Sequence, residues 1–249
     1  MERGNKERSI MQITVDLEHK NKVLKKIAER EFYERSGTHN SDLIFCLNRQ
    51  ALRKLYPVEP TEHELLLYSL GWASQRWLTG QDKDIPEIIV DGIVVTLDAL
   101  DDGCPWELKA TFQSSSKSID DSLHWVRQLM SQCYVSKSLI AHFTRFEIMG
   151  NWKWVWHIGR PPKPESLEKY ISEFGENWDA HPTLGAFKIE FTQEELDRHW
   201  AWMKQRKELF EKLVASGAKE LLPKAIAVGS GMEWLCDWCA YKPKECYDD

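Results

Sequence analysis

The sequence predicts an α/β protein in which a mixed, largely antiparallel central sheet is flanked by helices. Three observations predict it. Helical periodicity with capping signals occupies both ends of the chain, a run of β-branched residues split by Asp91-Gly92 lies in the middle, and further short apolar runs rich in β-branched and aromatic residues follow. With 249 residues and 42% hydrophobic content, the chain is long enough to bury a proper core.

The elements follow in order. Residues 15–36 read as an amphipathic helix, and "SDLIFCLNRQALRKLY", residues 41–56, as a second one ended by Pro57. The third, residues 61–79, opens with a capping box, Thr61 followed by Glu64, and closes at Gly80. "PEIIVDGIVVTLDAL" reads as a hairpin across Asp91-Gly92, "DDGCP" turns the chain again, and "WELKATF" resumes as a strand. A helix over "SIDDSLHWVRQLMSQCYVSKS" precedes two strands, "SLIAHFTRFEIMG" and "NWKWVWHIG", which form a hairpin across Gly150-Asn151, and "TLGAFKIEF" adds another. A long helix capped by Thr192 with Glu195 stops near Gly217. No internal repeat, low-complexity tract or long linker divides the chain, which predicts one domain over 1–249. Its parts are a helical region 1–60, a core 61–217 and a C-terminal segment 218–249.

Composition narrows the class. No apolar run approaches the roughly 20 residues of a membrane span, and the first residues have no apolar signal core, so a cytoplasmic protein is expected. In that reducing compartment six cysteines do not read as a disulfide framework. A net charge of −6 argues against a charge-driven nucleic-acid coat. Lys20, Lys22, Lys25, Lys26 and Arg30 read as a solvated helix face, with DNA contact as the alternative.

Two groups of residues carry possible chemistry. Val94, Thr96 and Asp98 alternate onto one strand face, as do Glu107 and Lys109, and a short turn brings Asp98 opposite Glu107 with Lys109 beside them. Facing carboxylates repel unless a cation sits between them, and oxygen ligands suit magnesium or manganese; exposed sheet charges are the plain alternative. Glu64, Gly71 and Gln75 fall on one helical stripe, and Gln128 and Gln132 on another. A glycine inside a good helix costs about 1 kcal/mol, which predicts a close approach to the backbone at Gly71. In the tail, "EWLCDWCAYKPKEC" places Cys236, Cys239 and Cys246 together, one thiol short of a full metal shell. The fourth ligand lies far back in the chain, or these are ordinary buried cysteines. Cys104 and Cys133 read as small apolar fillers. Trp152, Trp154 and Trp156 share a strand face, as core or as a base-stacking platform.

The order "GWASQ", "LDAL", "ELK", "QLMSQ", enclosed by one upstream cysteine and a C-terminal CxxC with a further cysteine, resembles the RecB-like branch of the PD-(D/E)xK nucleases. More narrowly, it resembles the CRISPR-associated iron-sulphur exonuclease family, from about Ser41 to Cys246. The resemblance implies a restriction-endonuclease-like core with a C-terminal iron-sulphur segment. It implies Asp98 and Glu107 as metal ligands for Mg or Mn, the Leu108 carbonyl as a further ligand, and Lys109 as the catalytic lysine. Gln128 corresponds to the glutamine of a QxxxY motif that organises the site and the DNA. Cys46, Cys236, Cys239 and Cys246 would hold a 4Fe-4S cluster, whereas spacing alone allows zinc equally. Two positions depart. The family's GxxxH histidine, usually a metal ligand, falls on Gln75, and the tyrosine of QxxxY on Gln132, with Tyr134 two residues on. Glutamine coordinates more weakly than a charged ligand or imidazole, so reduced activity, altered metal preference and a silent site are all open. The implied activity is metal-dependent exonucleolysis of single-stranded DNA ends, 5′ to 3′, with the CRISPR integrase complex as partner. A free-standing repair or viral nuclease and a catalytically impaired DNA-binding scaffold are the alternatives.

Overall fold

The structure, a computed structural model, describes residues 14–31, 35–80, 87–113, 117–150, 172, 182–229, 231–237 and 239–241. The chain divides into two compact units, Met1–Arg35 with Pro60–Ser69, and Ser36–Glu59 with Leu70–Asp249. The first contains α1 (Leu17–Glu31) and the opening turns of α4 (Glu62–Thr79). Glu64 and Thr61 close the α4 capping box reciprocally. The lysine face of α1 is largely paired, Lys20 with Glu62 at 2.7 Å, Lys22 with Glu18 and Lys25 with Glu29. That is the solvated face expected of it.

The second unit holds two sheets. The short β1 (Thr38–His39) runs parallel to β3 (Ile93–Val95), and β2 (Ile88–Val90) pairs antiparallel on the other side of β3. Four further strands run in the order β4 (Ala99–Asp101), β5 (Cys104–Thr111), β6 (Ile140–Glu147) and β7 (Thr183–Glu190). The turns Asp91-Gly92 and Asp102-Gly103 all have positive φ, the backbone that two-residue hairpins require. Between β5 and β6 runs α5 (Leu123–Ser136), and this crossover makes the β5–β6 pair parallel. The expected single sheet is corrected here. Residues 96–98 leave the strand, because side chains rather than a neighbouring strand satisfy their carbonyls: Gln132 donates to Thr96 O and Gln75 to Asp98 O.

A second correction concerns residues 41–56, which form two helices, α2 (Asn40–Ile44) and α3 (Leu47–Leu55). Phe45 and Cys46 between them are extended. The break has a cause on a distant helix, α6 (Gln193–Ala215). Buried Arg206 of α6 donates to the carbonyls of Leu43 and Phe45, and also to Ile226 and Ala227 of α7 (Lys224–Val228) at 3.1 and 3.0 Å. Carbonyls that a continuous helix would use internally are thus taken by the guanidinium. Cys46 then becomes the N-cap residue of α3 in extended backbone, without a side-chain cap hydrogen bond.

The core forms in three places. Leu43, Ile44, Leu47 and Ala51 meet Trp200, Met203, Phe210 and Leu213 of α6. Trp125, Leu129 and Cys133 of α5 cover Ala141 and Phe143 of β6. Cys46, Ala227, Val228, Met232 and Leu235 make a third cluster, bordered by Cys236 at the end of a 3-10 turn, Glu233–Cys236. Cys133 is a buried apolar filler, its thiol pushed up to about 12 by burial and then by Cys104. Gly71 shows no close approach: a Cβ built there meets nothing within 4 Å, so the expected backbone contact is absent among the described residues. The expected strand over residues 151–159, with its three tryptophans, and so the far arm of the Gly150-Asn151 hairpin, lie outside the described residues.

Arg206→Met should lower unfolding free energy by about 3 kcal/mol or more, because four carbonyls, buried or partly buried, lose their donor. Arg206→Lys should recover only part of it, since an ammonium lacks the planar fork. Urea denaturation of the three proteins checks both, and equal midpoints would refute the assignment.

Candidate active site

Asp98 stands one residue before β4, and the β4–β5 register, Ala99 against Trp106, continues to place it opposite Glu107. Leu108 N–H donates to Asp98 Oδ2 at 2.9 Å, which fixes the carboxylate on the neighbouring strand. Glu107 and Lys109 alternate onto the same face of β5, and α5 supplies the partners. The Lys109 ammonium pairs with Glu107 Oε1 and donates to Gln128 Oε1 at 3.2 Å. One turn on, Gln132 Nε2 donates to Glu107 Oε2 at 2.5 Å. Gln75 Nε2 reaches the Asp98 carbonyl at 3.3 Å, so this side chain holds the backbone beneath the carboxylate. The structure therefore gathers Gln75, Asp98, Glu107, Leu108, Lys109, Gln128 and Gln132, all in the second unit.

Burial dominates the electrostatics. Glu107 is fully buried. Asp98 is pushed up to about 7, first by burial and then by the adjacent Glu107, with Lys109 and the Leu108 N–H pulling the other way. Burial opposes the charge on Lys109, yet Glu107 and then Asp98 outweigh it and hold its pKa above the ordinary lysine value. The result is an Asp98 carboxyl whose ionisation is disfavoured beside an ammonium whose charge is favoured.

The donor set suits a hard divalent cation. A half-buried Asp98 carboxyl and a fully buried Glu107 carboxyl lie side by side, with the Leu108 carbonyl next to Glu107 in sequence, and oxygen donors of this kind favour Mg or Mn. Among the described residues no three His, Cys, Asp or Glu side chains form a metal-holding group, so the carboxyl pair would be completed by backbone, glutamine or water oxygens.

The cysteines occupy a separate part of the unit. Cys46 is buried, and its thiol pKa is raised first by burial, with Cys239 and Cys236 adding to it and the Arg49 and Asn48 N–H groups opposing. Cys236 and Cys239 thus lie on the Cys46 side of the unit, but the three thiols do not form a metal-holding group among the described residues. Cys246 lies outside the described residues.

One residue of interest escaped the sequence reading. His124 stands one turn before Gln128 on α5, a spacing that was available, but its ring neighbours Phe45 and Trp234 come from far along the chain.

No family model matches the chain, and no curated protein matches it. Among solved structures, the chain is similar to the protein described as SSO0001, with a TM-score of 0.53 and 15% identity over 92% of this chain and 98% of that one. That likeness is one of fold. A phage-related exonuclease from Haemophilus somnus 129PT aligns with a TM-score of 0.44 and 10% identity over 74% of this chain and 97% of that one. An alkaline exonuclease, LHK-Exo, from Laribacter hongkongensis aligns at 0.36 and 12% over 74% and 94%.

Asp98 also gives a pH signature. Its folded pKa lies above the unfolded value near 3.8, so its stabilising contribution is present below about pH 4 and lost as pH rises through about 7. Without divalent ions, Asp98→Asn should therefore exceed wild type in stability at pH 8, by at most about 4 kcal/mol. The gap should shrink toward pH 5. Urea denaturation in EDTA at both values checks this, and a gap independent of pH would refute it.

Proposed function

We propose that the chain is a metal-dependent DNA nuclease acting on single-stranded ends with 5′ to 3′ polarity. The observation that carries the reading is the convergence of Asp98, Glu107 and Lys109, with Gln128 on the lysine. Asp98, Glu107 and the Leu108 carbonyl would hold Mg or Mn, with Gln75 beside them; the ion would supply charge neutralisation at the phosphate and a more acidic water. The protein's own part is positional. Gln128 and Glu107 fix the Lys109 ammonium where it can offset charge on a phosphate oxygen. Gln132 holds Glu107, and Leu108 N–H with Gln75 holds Asp98, so both carboxyls are fixed in place side by side.

A 4Fe-4S cluster on Cys46, Cys236, Cys239 and Cys246 belongs to the same reading, as does delivery of trimmed fragments to the CRISPR integrase complex. Both the cluster and the integrase rest on the resemblance in sequence. A second reading has one observation in its favour. Both Glu107 oxygens are already engaged, by Lys109 and by Gln132, as a silent DNA-binding scaffold would allow.

Lys109→Ala should reduce manganese-dependent cleavage of labelled single-stranded DNA by at least about 100-fold while leaving binding in EDTA within about twofold. Wild type that binds but never cleaves would sink the nuclease reading in favour of the scaffold. Protein purified without oxygen should carry iron, sulphide and a broad visible absorption that Cys46→Ala loses. Zinc in place of iron would overturn the cluster and return the tail to a structural clasp.

A further inference from the structure

Three buried side-chain oxygens have no hydrogen-bond donor among the described residues, and two of them, Glu107 Oε1 and Gln132 Oε1, lie at the acidic centre. Glu107 Oε1 has the Lys109 ammonium as its ion-pair partner. Gln132 Oε1 has no partner among the described residues, although the residue is only 1% exposed.

Chemistry fixes which way this amide points. Its nitrogen donates to Glu107 Oε2 at 2.5 Å and to the Thr96 carbonyl at 3.4 Å. A carbonyl accepts only, as does an ionised carboxylate, so the amide oxygen cannot take either place. Both N–H groups are therefore used, and the oxygen needs a donor or a cation of its own. The two ends of an amide lie about 2.2 Å apart, so Oε1 stays within about 5 Å of Glu107 Oε2. The other glutamines of the site differ. Gln128 Oε1 accepts from Lys109 at 3.2 Å, and Gln75 is half-buried, with its amide nitrogen on the Asp98 carbonyl.

The neighbouring groups favour a cation over a water. A water has two protons to share among the oxygens of Asp98, Glu107 and Gln132, whereas one hard cation serves carboxylate and amide oxygens together. We propose that Gln132 Oε1 is a further oxygen ligand of the divalent cation that Asp98 and Glu107 would hold. One side chain then has two duties. Its N–H groups tie the Glu107 carboxylate to the Thr96 backbone, and its oxygen turns to the ion. This inference rests on the metal-dependent reading and adds a neutral ligand from α5.

The test uses full-length protein with manganese alone as the probe, the free ion being counted by its electron paramagnetic resonance signal. Gln132→Met, close in volume but without the amide, should weaken manganese binding by about 10-fold or more. Gln132→Glu loses the N–H donors in the same way but keeps an oxygen, and should bind manganese at least as tightly as wild type. A side chain that only holds Glu107 predicts otherwise: Gln132→Glu binding no more tightly than Gln132→Met would overturn the ligand. Urea denaturation in EDTA establishes which variants are folded. An independent readout is hyperfine coupling of manganese to glutamine labelled with carbon-13 at the side-chain carbonyl. In Gln75→Met, which removes the other candidate glutamine, this coupling should persist at saturating manganese. Its absence there would overturn the proposal whether or not Gln132→Met folds. Wild-type manganese affinity in Gln132→Met, the mark of an oxygen that meets only a buried water, would overturn the ligand and leave the metal site standing. Wild type that binds no manganese would overturn both.

Discussion

A single buried guanidinium sets the terms for much of the second unit. Arg206 reaches backbone carbonyls in the last turn of α2, in the α2–α3 break and at the end of α7, and so ties the chain before Cys46 to the C-terminal segment. Its burial brings its pKa down to about 10, and Arg127 pushes in the same direction while Cys46 opposes. The charge persists at neutral pH because its donors find acceptors. Removing the charge would not relieve the burial, since the carbonyls would remain without donors. The position of Cys46, and through it the third apolar cluster, therefore depends on an interaction made from α6.

The acidic centre depends on α5 in a comparable way. One helix face delivers Gln132 to Glu107, Gln128 to Lys109, and His124 to the space beyond, each a turn from the next. The adjoining stripe, one residue on, packs Trp125, Leu129 and Cys133 onto β6. Apolar burial on one stripe thus positions the polar groups of the next. Because β5 and β6 are parallel, the helix that joins them necessarily crosses the sheet face carrying Glu107 and Lys109.

What the sequence made legible was local. Thr61 with Glu64 and Thr192 with Glu195 close capping boxes, and both Asp-Gly pairs turn the chain, because each signal is complete within four residues. The pairing of Asp98 with Glu107 was legible for the same reason, since only the Asp102-Gly103 turn separates their strands. The break after Ile44 was not legible, for its cause is Arg206, more than 160 positions away. The departure of residues 96–98 from the strand was hidden likewise, since it depends on glutamines of α4 and α5. Gly71 misled because a helical glycine signals a cost and not its reason; the space around it is open. The ring contacts of His124 with Phe45 and Trp234 were hidden in the same way, because they assemble only in three dimensions.

The reach of Arg206 has a consequence for the order of events during synthesis. The Leu43 carbonyl is exposed to solvent or to transient partners until residue 206, 163 positions later, has been made. The α7 carbonyls come later still. The helices around Cys46 can form early, but their native break is imposed only when the second half of the chain arrives. Closure of so long a loop is slow and is rewarded only at the end. A nascent chain halted before α6 would therefore be free to run residues 41–56 as the continuous helix that its own sequence favours.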